Sequence, residues 1–149
     1  MEISGSQKIN VPQDKAFQAL LNPEVLKNSF PNCPEAGYED TPAGRLIKLV
    51  ITPTVPGFKG PYNIYLEPKE VTAPTHMVIY TEPTSGVGSV KATCNVDLAA
   101  DGAGTTITYS ANAELTGAIA AAQLLIKPAL QGALKHFFSN FEKQANAIA

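Results

Sequence analysis

Tryptophan is absent from this chain, and histidine and cysteine occur only twice each. Five tyrosines and six phenylalanines in 149 residues do not supply a rich platform for stacking bases. Cys33 and Cys94 lie far apart, form no CxxC and have no histidine cluster beside them. Two free, mostly buried thiols in a reducing compartment are expected, with a single disulfide as the lesser alternative. Charge is also scarce: 16% of residues are charged, against about 25% in an average domain, and the net charge is −2. Such a surface does not track phosphates, which argues against general nucleic-acid binding. No run reaches the ~18 apolar residues needed to span a bilayer. The most apolar stretch, 118–126, carries Gln123 within it. The opening Met1-Glu2-Ile3-Ser4-Gly5-Ser6 lacks the basic region and apolar run of a signal peptide, so a cytoplasmic protein is expected.

What the chain does have is apolar content, 44% of its residues, in a length that suits one domain over 1–149 with a real core. Residues 2–10 read as a first strand. Pro12 suits a helix start, and Phe17, Leu20 and Leu21 share a face at helical spacing. Asn22-Pro23 breaks that helix and allows a second over 24–29, which the prolines at 31 and 34 end. From 36 to 116, Gly, Pro, Asn and Asp punctuate the chain at short intervals. Strands are expected at 36–40, 45–52, 58–66, 75–82, 87–98 and 105–116. With the first, they make a seven-stranded antiparallel meander, since the connections are short. The alanine-rich remainder, 117–149, reads as one long helix that Pro128 kinks or divides near Lys127. The fold class is therefore α+β: strand, two short helices, six strands, long helix.

Alternation separates a dry face of the sheet from a wet one. The dry set holds Ile47 and Leu49, then Phe58, Tyr62 and Ile64, then Met77 and Ile79. It continues with Val90, Ala92 and Cys94, and with Tyr109, Ala111 and Ala113. The last helix offers Ala122, Ile126, Leu130 and Phe137 in one stripe. Small residues on the sheet thus face small residues on the helix. Either the two layers approach closely, or a twisted sheet curves away and leaves an apolar cavity. Empty apolar space costs about 24 cal/mol per Å³, so a cavity of ligand size would tend to hold an apolar guest. The residues named in this paragraph, with Phe30, are the candidate ligand contacts. Phe30, Phe58 and Val55 form either an apolar gate or a satellite of the core.

The residues of catalysis are sparse. No HExxH, GxSxG or phosphate loop occurs, and Gly86-Val87-Gly88 leads into a strand rather than a helix. Neither His76 nor His136 has a partner at metal-ligand spacing, so no metal and no cofactor is expected. His136 is a solvent-edge helix residue or a hydrogen-bond donor at a pocket mouth. Cys94 is a small core residue before it is a reactive thiol. Tyr62 and Tyr109 each bond a backbone carbonyl or the oxygen of a ligand. Glu82 reads as an exposed strand-end carboxylate rather than an acid catalyst.

Several segments, taken in order, resemble a known family. They are Met1-Glu2-Ile3-Ser4-Gly5, Asn22-Pro23-Glu24-Val25-Leu26, Phe30-Pro31-Asn32-Cys33, Phe58-Lys59-Gly60, Gly104-Thr105-Thr106-Ile107-Thr108-Tyr109 and Phe137-Phe138-Ser139-Asn140-Phe141. Asn32 stands where the family has glycine. The chain resembles the START-like, helix-grip superfamily (SRPBCC, polyketide cyclase and lipid-transport proteins), and within it the carbon monoxide dehydrogenase CoxG family. The resemblance implies a curved antiparallel sheet gripping the C-terminal helix around a hydrophobic tunnel. It implies non-catalytic binding or carriage of a lipid, fatty acid or quinone. It also implies a molybdenum-containing dehydrogenase as partner and peripheral membrane contact. Two alternatives remain: an accessory, assembly or membrane-recruitment factor for a molybdenum hydroxylase, and a polyketide cyclase or aromatase using Tyr109 with His136.

Overall fold

The computed structural model describes residues 1–30, 33–42, 44–52, 61–82, 84–85 and 88–147. Strand β1 (Glu2–Ile9) is followed by helices α1 (Gln13–Leu20) and α2 (Pro23–Ser29). Then come β2 (Glu35–Thr41), β3 (Gly44–Ile51), β4 (Tyr62–Thr72), β5 (His76–Thr81), β6 (Thr84–Ser85), β7 (Gly88–Asp101) and β8 (Gly104–Leu115). Helices α3 (Gly117–Ala121) and α4 (Gln123–Ala147) close the chain. The sheet is antiparallel in the order β1-β8-β7-β5-β4-β3-β2, with β6 paired only to β7. Seven strands thus form a curved sheet with the first and second in sequence at opposite edges.

Local chemistry explains most boundaries. Asn22 caps α2, its side chain accepting from the amides of Glu24 (3.0 Å) and Val25 (3.5 Å), with Pro23 in the first turn where no amide is needed. β7 and β8 run further toward each other than expected, pairing as far as Asp101 with Gly104. Gly102 makes this tight hairpin by taking φ 63° at its first central position.

Two expectations need correction. β4 does not end at Leu66 but continues to Thr72. It pairs with β3 through Leu66 and with β5 from Glu67 onward. Pro68 therefore lies where β4 has no partner on the β3 side, and its missing amide costs no ladder bond there. A bulge follows, with the register shifting between Lys69 and Thr72 around Glu70 at φ 47°. The second correction concerns the C-terminal helix, which breaks at Ala122 (φ −92°, ψ 11°) rather than at Pro128. Pro128 sits inside α4 and leaves the Leu124 carbonyl without its usual donor. Leu124 is 90% exposed, so water can supply that bond.

The core gathers where α1, α2 and the C-terminal turns of α4 lie on the sheet. Val11, Phe17, Leu49, Met77, Leu98, Ile107, Phe141 and Ala145 belong to it. Its polar groups are paired: the buried Thr105 hydroxyl donates to the Val11 carbonyl (2.6 Å), and Ser29 donates to the Val25 carbonyl (2.6 Å).

Candidate binding cleft

Register fixes which side chains share the inward face. Cys94 lies between Ile79 on β5 and Ala111 on β8, and Ala92 lies between Thr81 and Ala113. Ile64 lies opposite Leu49 and Tyr62 opposite Ile51. Burial along this face is uneven. Toward the core, Ile47, Leu49, Met77, Val96, Leu98 and Ile107 are buried. Further along the same strands, Ile51, Tyr62, Ile64, Ile79, Thr81, Val90, Ala92, Cys94, Tyr109 and Ala111 are only half-buried. None of these ten is charged. On β8, Ala113 is buried at 9% exposure, while Leu115 beyond it on the same face is again half-buried.

The helix over this face is uneven in the same sense. Phe137, Phe138, Phe141 and Ala145 of α4 are buried, and Ala133 and Leu134 are half-buried. Toward its N-terminus, Ala122 and Ile126 are half-buried, while Leu124, Leu125 and Leu130 stand exposed at 90%, 58% and 40%. One half of α4 is therefore packed down and the other half largely exposed, in step with the fall in burial along the inward face.

A wall of aromatic rings marks the boundary. Phe30, at the end of α2, meets Phe137 (4.5 Å between centroids), which meets Phe138 edge-on (5.1 Å). Phe138 stacks on Tyr109 of β8 (5.4 Å), and Phe137 also stacks on Phe141 behind it (5.4 Å). Gly5 makes this possible, because a Cβ there would lie 2.5 Å from the Tyr109 hydroxyl oxygen. Among the described residues, that hydroxyl has no hydrogen-bond partner, so it does not bond a backbone carbonyl of theirs.

Cys94 reports on the shape of this face. Its side chain remains partly accessible, yet burial among surrounding atoms pushes its thiol up to about 11. Accessibility together with strong desolvation fits a concave wall rather than a convex surface. Cys33 is also a free thiol, buried beside β2 and raised by the same cause, with its sulfur 3.3 Å from the Glu35 carbonyl.

Of the expected contacts, Tyr62, Ile64, Ile79, Val90, Ala92, Cys94, Tyr109 and Ala111 come together on the open part of the inward face. Phe30 and Phe137 stand in the aromatic wall, and Ile47, Leu49 and Met77 lie behind it in the core. Leu130 faces solvent more than the sheet. Phe58 and Val55 fall outside the described residues. Phe138, Ile51 and Gly5 join the site without having been expected there. The Phe137-Phe138 doublet and the lone glycine between Ile3 and Ile9 are the signals the sequence holds for them.

The polar candidates are dispersed. Phe138 turns toward Tyr109, so His136, two residues earlier, points about 200° round the helix. It is exposed, and the Tyr109–His136 pair that the cyclase alternative would use is not assembled. His76 sits on the sheet's polar face, its Nδ1 2.7 Å from Asp97 Oδ1. Glu82 is exposed and accepts a hydrogen bond from the Tyr80 hydroxyl (2.7 Å), which raises that phenol. Among the described residues, no group of three or more His, Cys, Asp or Glu could hold a metal ion. No described helix is long and apolar enough to cross a membrane. A separate open depression of about 330 Å³ lies at the β2 edge between Lys27, Glu35 and Lys48.

No curated protein sequence matches the chain significantly. Solved structures do. A conserved protein from Geobacillus kaustophilus superposes with a TM-score of 0.83 at 22% identity, over 98% of this chain and 95% of that one. Ara h 8.0201 gives 0.70 at 14% identity, over 99% of both chains. The di-domain ARO/CYC protein BexL, from the BE-7585A biosynthetic pathway, gives 0.69 at 13% identity, over all of this chain and 51% of that one. At these identities the likeness is one of fold, the helix-grip arrangement. The family model for CoxG, the G-subunit of carbon monoxide dehydrogenase, matches residues 5–146. With that match spanning nearly its whole length on a START-like helix-grip fold, the chain belongs to the carbon monoxide dehydrogenase CoxG family.

Proposed function

We propose that the protein binds and carries an apolar small molecule, a lipid, fatty acid or quinone, in a recess between α4 and the sheet, without catalysing its conversion. Membership of a ligand-binding, SRPBCC-type fold supports this reading. The observation that carries it is the row of uncharged side chains that is buried at one end and half-buried at the other. Covering that row with hydrocarbon would contribute about 25 cal/mol per Å². Tyr109 would orient the guest through one hydrogen bond. Dispersal of the histidines and carboxylates away from the recess supports a carrier over a cyclase, although BexL shares the fold. The family's name supports a carbon monoxide dehydrogenase as the partner it serves.

The test is organic extraction of the purified protein followed by mass spectrometry, together with titration of a fluorescent anthroyloxy fatty acid. A co-purifying apolar molecule or saturable probe binding is expected. An empty extract with no probe uptake would overturn the reading. Turnover of a polyketide-like substrate that is lost in Tyr109→Phe would replace it with the cyclase.

A further inference from the structure

Between the filled and unfilled parts of the interior stands a continuous set of rings. It runs from Phe30 at the end of α2, through Phe137 and Phe138 on α4, to Tyr109 on β8, with successive centroids 4.5, 5.1 and 5.4 Å apart. Behind it, Phe141 and Ala145 are 0% exposed and Ile107 is 1% exposed. In front of it, Cys94 and Ala111 on adjacent strands remain half-buried. The set is braced on both sides. Phe141 stacks against Phe137 from the core, and Tyr109 is held between Phe138 and the bare backbone of Gly5. Rings packed in this way cannot swing aside without opening the core, so an entering chain stops where they begin.

We propose that Phe30, Tyr109, Phe137 and Phe138 form the floor of the recess and set the length of apolar chain that it admits. The inference rests on the carrier reading and assigns its length selectivity to these four side chains. The ligand class is a linear chain entering tail first. A charged head must stay at the mouth, because the half-buried inward residues offer it no countercharge. From Tyr109 to Leu115, β8 extends roughly 20 Å at about 3.3 Å per residue, which bounds the depth along that strand.

The experiment measures displacement of the anthroyloxy probe by decanoic, tetradecanoic and octadecanoic acids. It compares wild type with two variants that move the floor in opposite directions. Phe138→Leu lowers it by removing a ring, and Ala111→Phe raises it by adding one in front. The preferred length should shift to longer acids in the first and to shorter acids in the second. Each methylene admitted or refused should change relative affinity about fourfold. Ala111 is half-buried, so its variant tests the proposal even if Phe138→Leu folds poorly. Wild-type binding with the same length preference in both variants would overturn the floor and leave the carrier standing. Absence of wild-type binding to every acid would overturn the floor, and together with an empty organic extract it would overturn the carrier as well.

Discussion

Met77, Leu98 and Ile107 are 1–3% exposed at the closed end of the inward face. Their strand neighbours Ile79, Cys94 and Tyr109, two or four residues away on the same side of the sheet, are half-buried. Nothing in the strands themselves separates these sets: both are apolar, alternating and in register. The difference lies in what covers them. α1, α2 and three phenylalanines of α4 press on the closed end, while Leu124, Leu125 and Leu130 in the first turns of α4 are exposed. Burial of this kind is the main source of folding free energy, so the closed end carries the stability. The open end contributes less and is correspondingly free to exchange protein contacts for ligand contacts.

Substitutions at the two ends put that contrast to the test. The largest effect is expected from Phe141→Ala in the closed end, where the ring is 0% exposed. It should cost about 3–5 kcal/mol in urea unfolding, with probe binding per folded molecule retained. A cost below about 1 kcal/mol would erase the distinction between the two ends. Next comes the alkylation of Cys94. With the thiol pushed up to about 11 from an ordinary 9.0, its thiolate fraction near neutral pH falls about a hundredfold, and its reaction should slow, by less than that factor because a more basic thiolate is the better nucleophile. Because the shift is upward, the rate should climb about tenfold per pH unit while the pH stays below that value. Bound fatty acid should protect the thiol further. Mass mapping separates it from Cys33, and an ordinary rate would mean that the recess does not enclose it.

Ala111→Trp should reduce probe uptake about tenfold or more while changing stability by no more than about 1 kcal/mol, because the indole enters unfilled space. A large loss of stability would instead place Ala111 in a packed core. Least affected should be Leu124→Ser, at a position 90% exposed, with stability within about 0.5 kcal/mol of wild type by thermal unfolding. A larger drop would mean that the N-terminal half of α4 is held down after all.

Much of this is legible in the residues. The strand alternation of 90–98 and 105–115 places Cys94, Ala111 and Tyr109 on one face, as the register does. Asn22-Pro23 marks the break between the first two helices. The stripe on the last helix is legible as apolar but not as uneven. Ile126, Leu130, Phe137 and Phe141 follow one spacing, yet exposure falls from 40% at Leu130 to 0% at Phe141. The continuation of β4 past Pro68 is hidden too, because a proline looks like a strand end until one knows that its amide side has no partner.

Which side of each strand and which stripe of the last helix is apolar can be read from the order of residues alone. Those patterns follow from the two-residue and 3.6-residue repeats of the backbone, which are local properties. Where along those faces the protein fills its own interior is a property of the folded arrangement. Filling depends on the separation of two surfaces brought together from distant parts of the chain. Sheet curvature and the placement of Phe137 and Phe138 against Tyr109 and Phe30 set that separation, and no periodicity encodes it.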